Sequence, residues 1–325
     1  MDKYRPHDRA EGDTTVTTAF IFPGQGSQKV GMGKALADAF AICRQTFMEA
    51  DDVLGERLSA LCFDGPADRL MLTENTQPAI LAVSIAAYRL LISKGFRPAF
   101  VAGHSLGEYS ANVAAGTLAF ADALKIVRRR GRYMQEAVPV GVGAMAAVIG
   151  LDGDKVAQAC REAAEGEVVS PANINGGGQI AIAGAREAVA RAGERAKALG
   201  AKRIIPLEVS APFHCALMKP AERRLAPDLR ALTTQDPTVP IVANVDADLK
   251  RTSAGSIDAL IAQVSSPVQW EGVVTRLASE GVTAYVEVGP GNALSGMVRK
   301  IHPKAAVSSF GSPDDLAAVE ALGVA

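Results

Sequence analysis

A chain of 325 residues, 48% hydrophobic and 21% charged, is long enough to bury a sizeable core, and its mixture excludes a disordered protein. A formal net charge of −1 argues against a general affinity for nucleic acid or for anionic membrane surfaces. Cys43, Cys62, Cys160 and Cys215 form no C-x-x-C pair and no metal-ligand spacing, which suits a reducing cytoplasm.

The chain opens on MDKYRPHDRAEGDTTVTT, polar and without the apolar core of a signal peptide, so residues 1–17 are expected to form a flexible extension. AFIF (19–22) reads as a buried strand that opens into the turn PGQG. Helical patterns follow from Met32 to about Val53 and from Gln77 to Leu91. The longest apolar stretch, PAILAVSIAAYRLLI (78–92), contains an arginine and is short for a membrane span, so it reads as a buried helix of a soluble protein. PAFVAG (98–103) is the next short strand, with helices expected over Leu106–Ala115 and from Phe120 to about Val138. Strands alternating with helices predict an α/β fold with a mostly parallel sheet covered on both faces.

Residues 143–209 read differently. GAMAAVIG is a strand pattern, DKVAQACREAAE a helix, VVSPANI and QIAIAG two strands around the turn NGGG, AREAVARAGERAKALG a helix and RIIPLEV a strand. That β-α-β-β-α-β order matches a ferredoxin-like α+β unit. The sheet pattern resumes with PIVANV (240–245) and AYVEVG (284–289), which makes the unit an insert. A small subdomain is therefore expected over 140–209, inside a large one formed by 18–139 and 210–325.

GHSLG (103–107) has the form G-x-S-x-G and places Ser105 between a strand and a helix. The helix start would aim N–H groups at a developing oxyanion, although a capping serine on a tight turn has the same pattern. FPGQGSQKVGMG (22–33) fails as a dinucleotide fingerprint, with Lys29 where the third glycine would fall, and fails as a phosphate loop. It remains either a close-approach loop that completes an oxyanion hole or a plain turn. Of the four histidines, His7 lies in the extension, His302 precedes a proline, and His104 adjoins the serine on a turn that points its side chain away. His214, in the loop of VSAPFHCALM, is the well-placed base for Ser105, or else a polar surface residue.

The run Arg128, Arg129, Arg130, Arg132 resembles a nucleic-acid patch until helical phase is applied. At about 100° per residue from Ile126, Arg130 falls at about 40°, inside the stripe of Ala123, Val127, Tyr133 and Met134. Lys125, Arg128 and Arg132 fall on the solvated face, with Arg129 at its edge. An inward arginine needs an anion. Phase leaves two choices: an ion pair with a carboxylate of the chain such as Glu108, or a bidentate clamp for a substrate carboxylate.

IFPGQGSQ, GHSLGEYSA, RRRGRYMQEAVP, ANINGGGQIAIAG, VSAPFHCALMKP, SSPVQW and VEVGPG together resemble the malonyl-CoA:acyl carrier protein transacylase family of bacterial fatty-acid synthesis, over residues 18 to about 311. The resemblance implies a hydrolase-like α/β core with the ferredoxin-like insert as one wall of the cleft. It implies Ser105 as nucleophile, His214 as its base, the N–H groups of Gln25 and Leu106 as the oxyanion hole, and Arg130 as holder of the malonyl carboxylate. It also implies that a main-chain carbonyl, that of Gln263, orients the histidine in place of an aspartate. His104 and Phe213 are expected to contribute to substrate binding, and Asn173 either to border the pantetheine arm or simply to support a turn. The implied partners are malonyl-CoA and an acidic acyl carrier protein, with Lys202–Arg203 and Arg299–Lys300 as docking charges or mere solvated surface. No cofactor or metal, no nucleic acid, no membrane and a cytoplasmic monomer complete the expectation. The rivals are a transacylase loading malonyl or methylmalonyl units for polyketide synthesis, a serine esterase, and a non-catalytic carrier-binding module.

Overall fold

The structure is a computed structural model, and it describes residues 16–209 and 211–323. In chain order the strands are β1 (Thr18–Phe22), β2 (Phe100–Gly103), β3 (Gly143–Ile149), β4 (Val169–Gly176), β5 (Gln179–Ala185), β6 (Arg203–Pro206), β7 (Ile241–Val242), β8 (Leu249–Lys250), β9 (Ala284–Val288) and β10 (Ala306–Phe310). They form a sheet of order β10-β9-β1-β2-β7-β8 and a second of order β4-β5-β3-β6. The first is parallel from β10 to β7, with β8 antiparallel at its edge. The second is antiparallel throughout.

Why the first sheet is parallel is visible in its central strands. TAFIF and AYVEV are buried at every position, as strands covered on both faces must be. One face packs against helix Thr73–Ser93, whose residues share a cluster with Phe20, Phe22, Val101 and Val286. The other carries Ala19, Ile21, Ala102 and Tyr285 against Trp270, Val273, Val274 and Leu277 of helix Trp270–Ser279. Helix Thr73–Ser93 is long and apolar enough to cross a membrane, but 78% of its apolar window is buried inside the protein. It is the central core helix.

The second sheet has its own core, where Val148, Ile180 and Ile182 meet Val156, Cys160, Val189 and Ala192 of two covering helices. It is tied to the first by an isolated parallel bridge between Asn173 and Val268, with Ile174 N–H donating to Val268 O at 2.9 Å and Val268 N–H to Ala172 O at 2.8 Å.

Several element bounds differ from the sequence reading. The helix expected from Met32 to Val53 is two, Lys34–Ala39 and Ala41–Leu54, because Phe40 is extended between them. The strand expected over 240–245 shortens to Ile241–Val242, since Ala243 N–H turns to Asp248 O and Asn244 N–H is drawn to the Glu108 carboxylate. The strand expected in RIIPLEV ends at Pro206, and Val209 N–H folds back to Leu207 O. The AVSSF strand, β10, went unread because two serines break its apolar pattern. Residues 1–15 of the expected extension lie outside the described residues, while Thr17 already joins the sheet, its carbonyl accepting from Thr283 and Ala284 N–H.

Candidate active site

The chain leaves β2 into a turn that only two glycines make possible. A Cβ on Gly103 would lie 2.0 Å from the Gly107 carbonyl, and one on Gly107 would lie 2.0 Å from Phe22 O. Between them Ser105 is held at φ 51°, ψ −105°, a conformation that L side chains adopt only when their surroundings impose it. The helix Leu106–Ala114 starts at the next residue, so the Leu106 N–H has no acceptor within the helix. The loop after β1 presses on this turn, with His104 N–H donating to Phe22 O at 3.0 Å and a Cβ on Gly24 placed 2.4 Å from His104 O. Gln25 lies half-buried in that loop, its side chain donating to Thr73 Oγ1 at 3.3 Å. The PGQG segment is thus a turn that also approaches the serine turn closely.

This contact gives an expected result. Gly107→Ala forces main chain rather than a flexible side chain to move, so it should lower stability by about 1–3 kcal/mol. Urea unfolding measures it, and a midpoint equal to that of the parent would mean that the turn has room.

His214 is 3% exposed and sits at φ 61°. Its Nδ1 lies 3.0 Å from Gln263 O; a carbonyl only accepts, so Nδ1 carries the proton and Nε2 is left to accept the Ser105 O–H at 2.7 Å. Burial first, and then the Arg130 charge, push the His214 pKa down to about 3. His214 is therefore a neutral imidazole at physiological pH. His104 turns the other way, with Nε2 3.0 Å from Asn175 Oδ1 and its ring beside Trp270.

Arg130 is 2% exposed, as its helical phase predicts, while Arg129 and Arg132 lie on the surface, paired with Asp228 and Glu74. Arg128 is half-buried and pairs with Glu56. The direct ion pair between Arg130 and Glu108 does not form. Arg130 donates from Nη1 to Gln77 Oε1 at 2.9 Å, and from Nη2 to Gln263 Oε1 at 2.9 Å and to Ser105 Oγ at 3.1 Å. Its Nε has no partner although it is buried, and its guanidinium stands over the Tyr109 ring at 5.3 Å. Glu108 instead accepts from Gln263 Nε2 at 2.7 Å and Asn244 N–H at 3.0 Å. Burial pushes the Glu108 carboxyl up to about 7, against the pull of those donors.

Three participants escaped the sequence reading. Asn244 accepts from Ser105 N–H at 2.7 Å and donates to Gly103 O at 2.7 Å, bracing the serine turn from the end of β7. Gln77 and the Gln263 side chain steer the guanidinium. The available signals were a polar residue ending the apolar run PIVAN and an amide opening a long apolar helix.

Other expected residues lie around this centre. Phe213 is buried beside His214, and Asn173 is buried in β4 at the bridge to Val268. Lys202, Arg203, Arg299 and Lys300 are exposed. One lysine of each basic pair lies near the NGGG turn: the Lys300 side chain lies against Gly177, Lys202 lies against Gly150, and Gly150 N–H donates to Gly178 O at 2.7 Å, while Arg299 Nη2 donates to Val307 O at 3.0 Å. Among the described residues no cluster of three or more His, Cys, Asp or Glu side chains has metal-site geometry.

The family profile described as "Acyl transferase domain" matches residues 19–309. The Escherichia coli K12 protein named malonyl CoA-acyl carrier protein transacylase is 52% identical over 301 residues, 92% of this chain and 97% of its own length. Among solved structures, an acyl carrier protein S-malonyltransferase from Vibrio cholerae superposes with a TM-score of 0.92 at 48% identity, covering 93% of this chain and 99% of the other. A malonyl-transacylase solved in complex with its type II PKS acyl-carrier protein gives 0.91 at 46% identity, covering 94% and 99%. The chain belongs to the malonyl-CoA:acyl carrier protein transacylase family of acyl transferases.

Proposed function

We propose that the chain transfers the malonyl group of malonyl-CoA to the phosphopantetheine thiol of acyl carrier protein, supplying fatty-acid elongation, through a malonyl ester on Ser105. The Ser105 proton passes to His214 Nε2 as Oγ attacks the thioester carbonyl. The N–H groups of Gln25 and Leu106 receive the oxyanion, and its collapse expels the CoA thiolate, which takes the proton from His214. The carrier thiol then gives its proton to His214, attacks the ester, and returns the serine hydroxyl. Every bond and proton balances without a metal or redox cofactor. A carbonyl behind the imidazole stabilises its cation less than a carboxylate would. A thiolate leaving group, a weak base, needs correspondingly little acid assistance.

One observation carries the substrate reading: a buried guanidinium that donates to the nucleophile from Nη2 and has an unpartnered Nε on the same edge. A malonyl carboxylate can bridge that edge with two charge-assisted bonds, worth about 2–4 kcal/mol, or about one and a half to three powers of ten in preference over acetyl. Arg130→Ala should lose malonyl transfer while gaining relatively in acetyl transfer, and Arg130→Lys should recover only part of the preference. The ratio of the two rates, with circular dichroism to check the fold, tests this. An unchanged ratio in folded Arg130→Ala would make the arginine structural.

The same site suits a carrier of polyketide synthesis, a reading favoured by the similarity to a malonyl-transacylase bound to a type II PKS acyl-carrier protein. A serine esterase would have no use for the inward arginine. We read residues 18–139 and 210–325 as a hydrolase-like large subdomain and 140–209 as a ferredoxin-like small one, a reading supported by the order β4-β5-β3-β6. His104, Phe213 and Asn173 then line the acyl and pantetheine path. The basic pairs, whose lysines lie near the NGGG turn, offer an acidic carrier a place to dock, and a cytoplasmic monomer fits this role.

A further inference from the structure

Arg130 is buried with no carboxylate on its fork, yet Glu108, equally buried, lies one amide away. The connection runs Arg130 Nη2 to Gln263 Oε1 at 2.9 Å, then Gln263 Nε2 to Glu108 Oε2 at 2.7 Å. We propose, on the basis of the malonyl-transfer reading above, that Glu108 is a positioning residue for malonyl recognition, a remote counter-ion that acts on Arg130 through the Gln263 amide and keeps every carboxylate of the chain off the guanidinium, whose Nε stays free for the substrate.

An amide can show its oxygen to a cation only if its nitrogen faces acceptors. Gln263 Nε2 faces three: Glu108 Oε2, Ser105 O at 3.0 Å and Asn244 Oδ1 at 3.3 Å. Turning the amide over would set its oxygen against a carboxylate and its protons against the guanidinium. The charge on Glu108 thus fixes which end of Gln263 meets Arg130. A direct ion pair would neutralise the arginine as well, but it would occupy the fork and compete with the malonyl carboxylate.

The local structure frees Glu108 for this task. It is the third residue of helix Leu106–Ala114, where the helix dipole favours a carboxylate. A glutamate there commonly reaches back to the N–H of the capping residue. Here that N–H, on Ser105, is already taken by Asn244 Oδ1, so the carboxylate faces inward toward Gln263 and Asn244 N–H. Gln263 also supplies the carbonyl that orients His214, so one residue carries both the relay and the support of the base.

The test is the malonyl-to-acetyl ratio of kcat/KM onto the carrier protein at pH 8, where Glu108 is ionised, with thermal melting alongside. Glu108→Gln keeps the shape and removes the charge; it should lower the ratio by about tenfold, chiefly through the KM for malonyl-CoA. Gln263→Met should act in the same direction. The double variant should be no worse than Gln263→Met alone, because Glu108 then has nothing to act through. A fall shared equally by malonyl and acetyl transfer, or effects that multiply in the double variant, would overturn the relay. Should Glu108→Gln not fold, Glu108→Asp decides: its carboxylate is drawn back from Gln263, so an unchanged ratio overturns the proposal and a lowered one supports it. A parent protein that transfers no malonyl would instead sink the underlying assignment of function.

Discussion

Incubated with malonyl-CoA and no carrier, the protein should gain the mass of one malonyl group, and Ser105→Ala should gain none. The expected loss is total because the hydroxyl held at 2.7 Å from a neutral histidine nitrogen has no substitute on the turn. The hydroxyl is also polarised from the other side: Arg130 Nη2 donates to Oγ, which directs the Ser105 proton toward His214. Alanine keeps the left-handed φ of 51° that the two glycines and the Phe22 loop impose, so the variant should fold. Intact-mass spectrometry decides, and a normal adduct on the alanine variant would remove Ser105 from the reaction.

The second large effect belongs to His214. His214→Ala should slow acylation by roughly two to four powers of ten, the usual worth of a positioned base. His214→Asn is the better control for folding, because asparagine tolerates the left-handed backbone found there. His104→Ala should be mild by comparison, since its ring bonds Asn175 and not the serine. A severe His104 variant with a mild His214 variant would exchange the two roles. The pH dependence has a definite sign. With a pKa pushed down to about 3, the free protein keeps its base neutral as pH falls through 6.5, so kcat/KM for malonyl-CoA should show no histidine limb there. A malonyl carboxylate on Arg130 offsets the second largest cause of that depression, so any limb in the acyl-enzyme should lie higher. For stability, the unfolded chain takes up a proton near 6.5 that the folded one refuses until about 3. Stability is therefore lost as pH falls across that window, by at most about 2 kcal/mol from this group at pH 5.

Some of this arrangement is legible in one dimension because it depends on period and local turn chemistry. The phase of Arg130 follows from its helix alone, and the serine turn follows from two glycines flanking a serine after a strand. Other parts depend on distant segments meeting. Asn244 reaches Ser105 across 139 residues and Gln263 reaches Glu108 across 155. No periodicity encodes such a meeting, and a buried amide looks in sequence like any surface amide. The sequence reading therefore singled out the serine, the histidine and the arginine that the fold brings together, and missed the amides packed around them. The same limit left the partner of Arg130 open between Glu108 and a substrate carboxylate, and only the fold reveals the glutamine that stands between Arg130 and Glu108. The break at Phe40 is a milder case, since its neighbours on both sides are good helix formers.

The bridge between Asn173 and Val268 has a consequence for modularity. The small sheet looks like a cassette that could be exchanged between relatives to change acyl preference. Its edge strand, however, is stitched by two hydrogen bonds to the segment that follows Gln263, whose carbonyl accepts from His214 Nδ1. A chimera cut only at the chain crossings near 140 and 209 would pair a foreign edge strand with the native Val268 segment and so misalign His214. A working graft has to carry residues 263–268 along with the insert, so the unit of exchange is discontinuous in sequence.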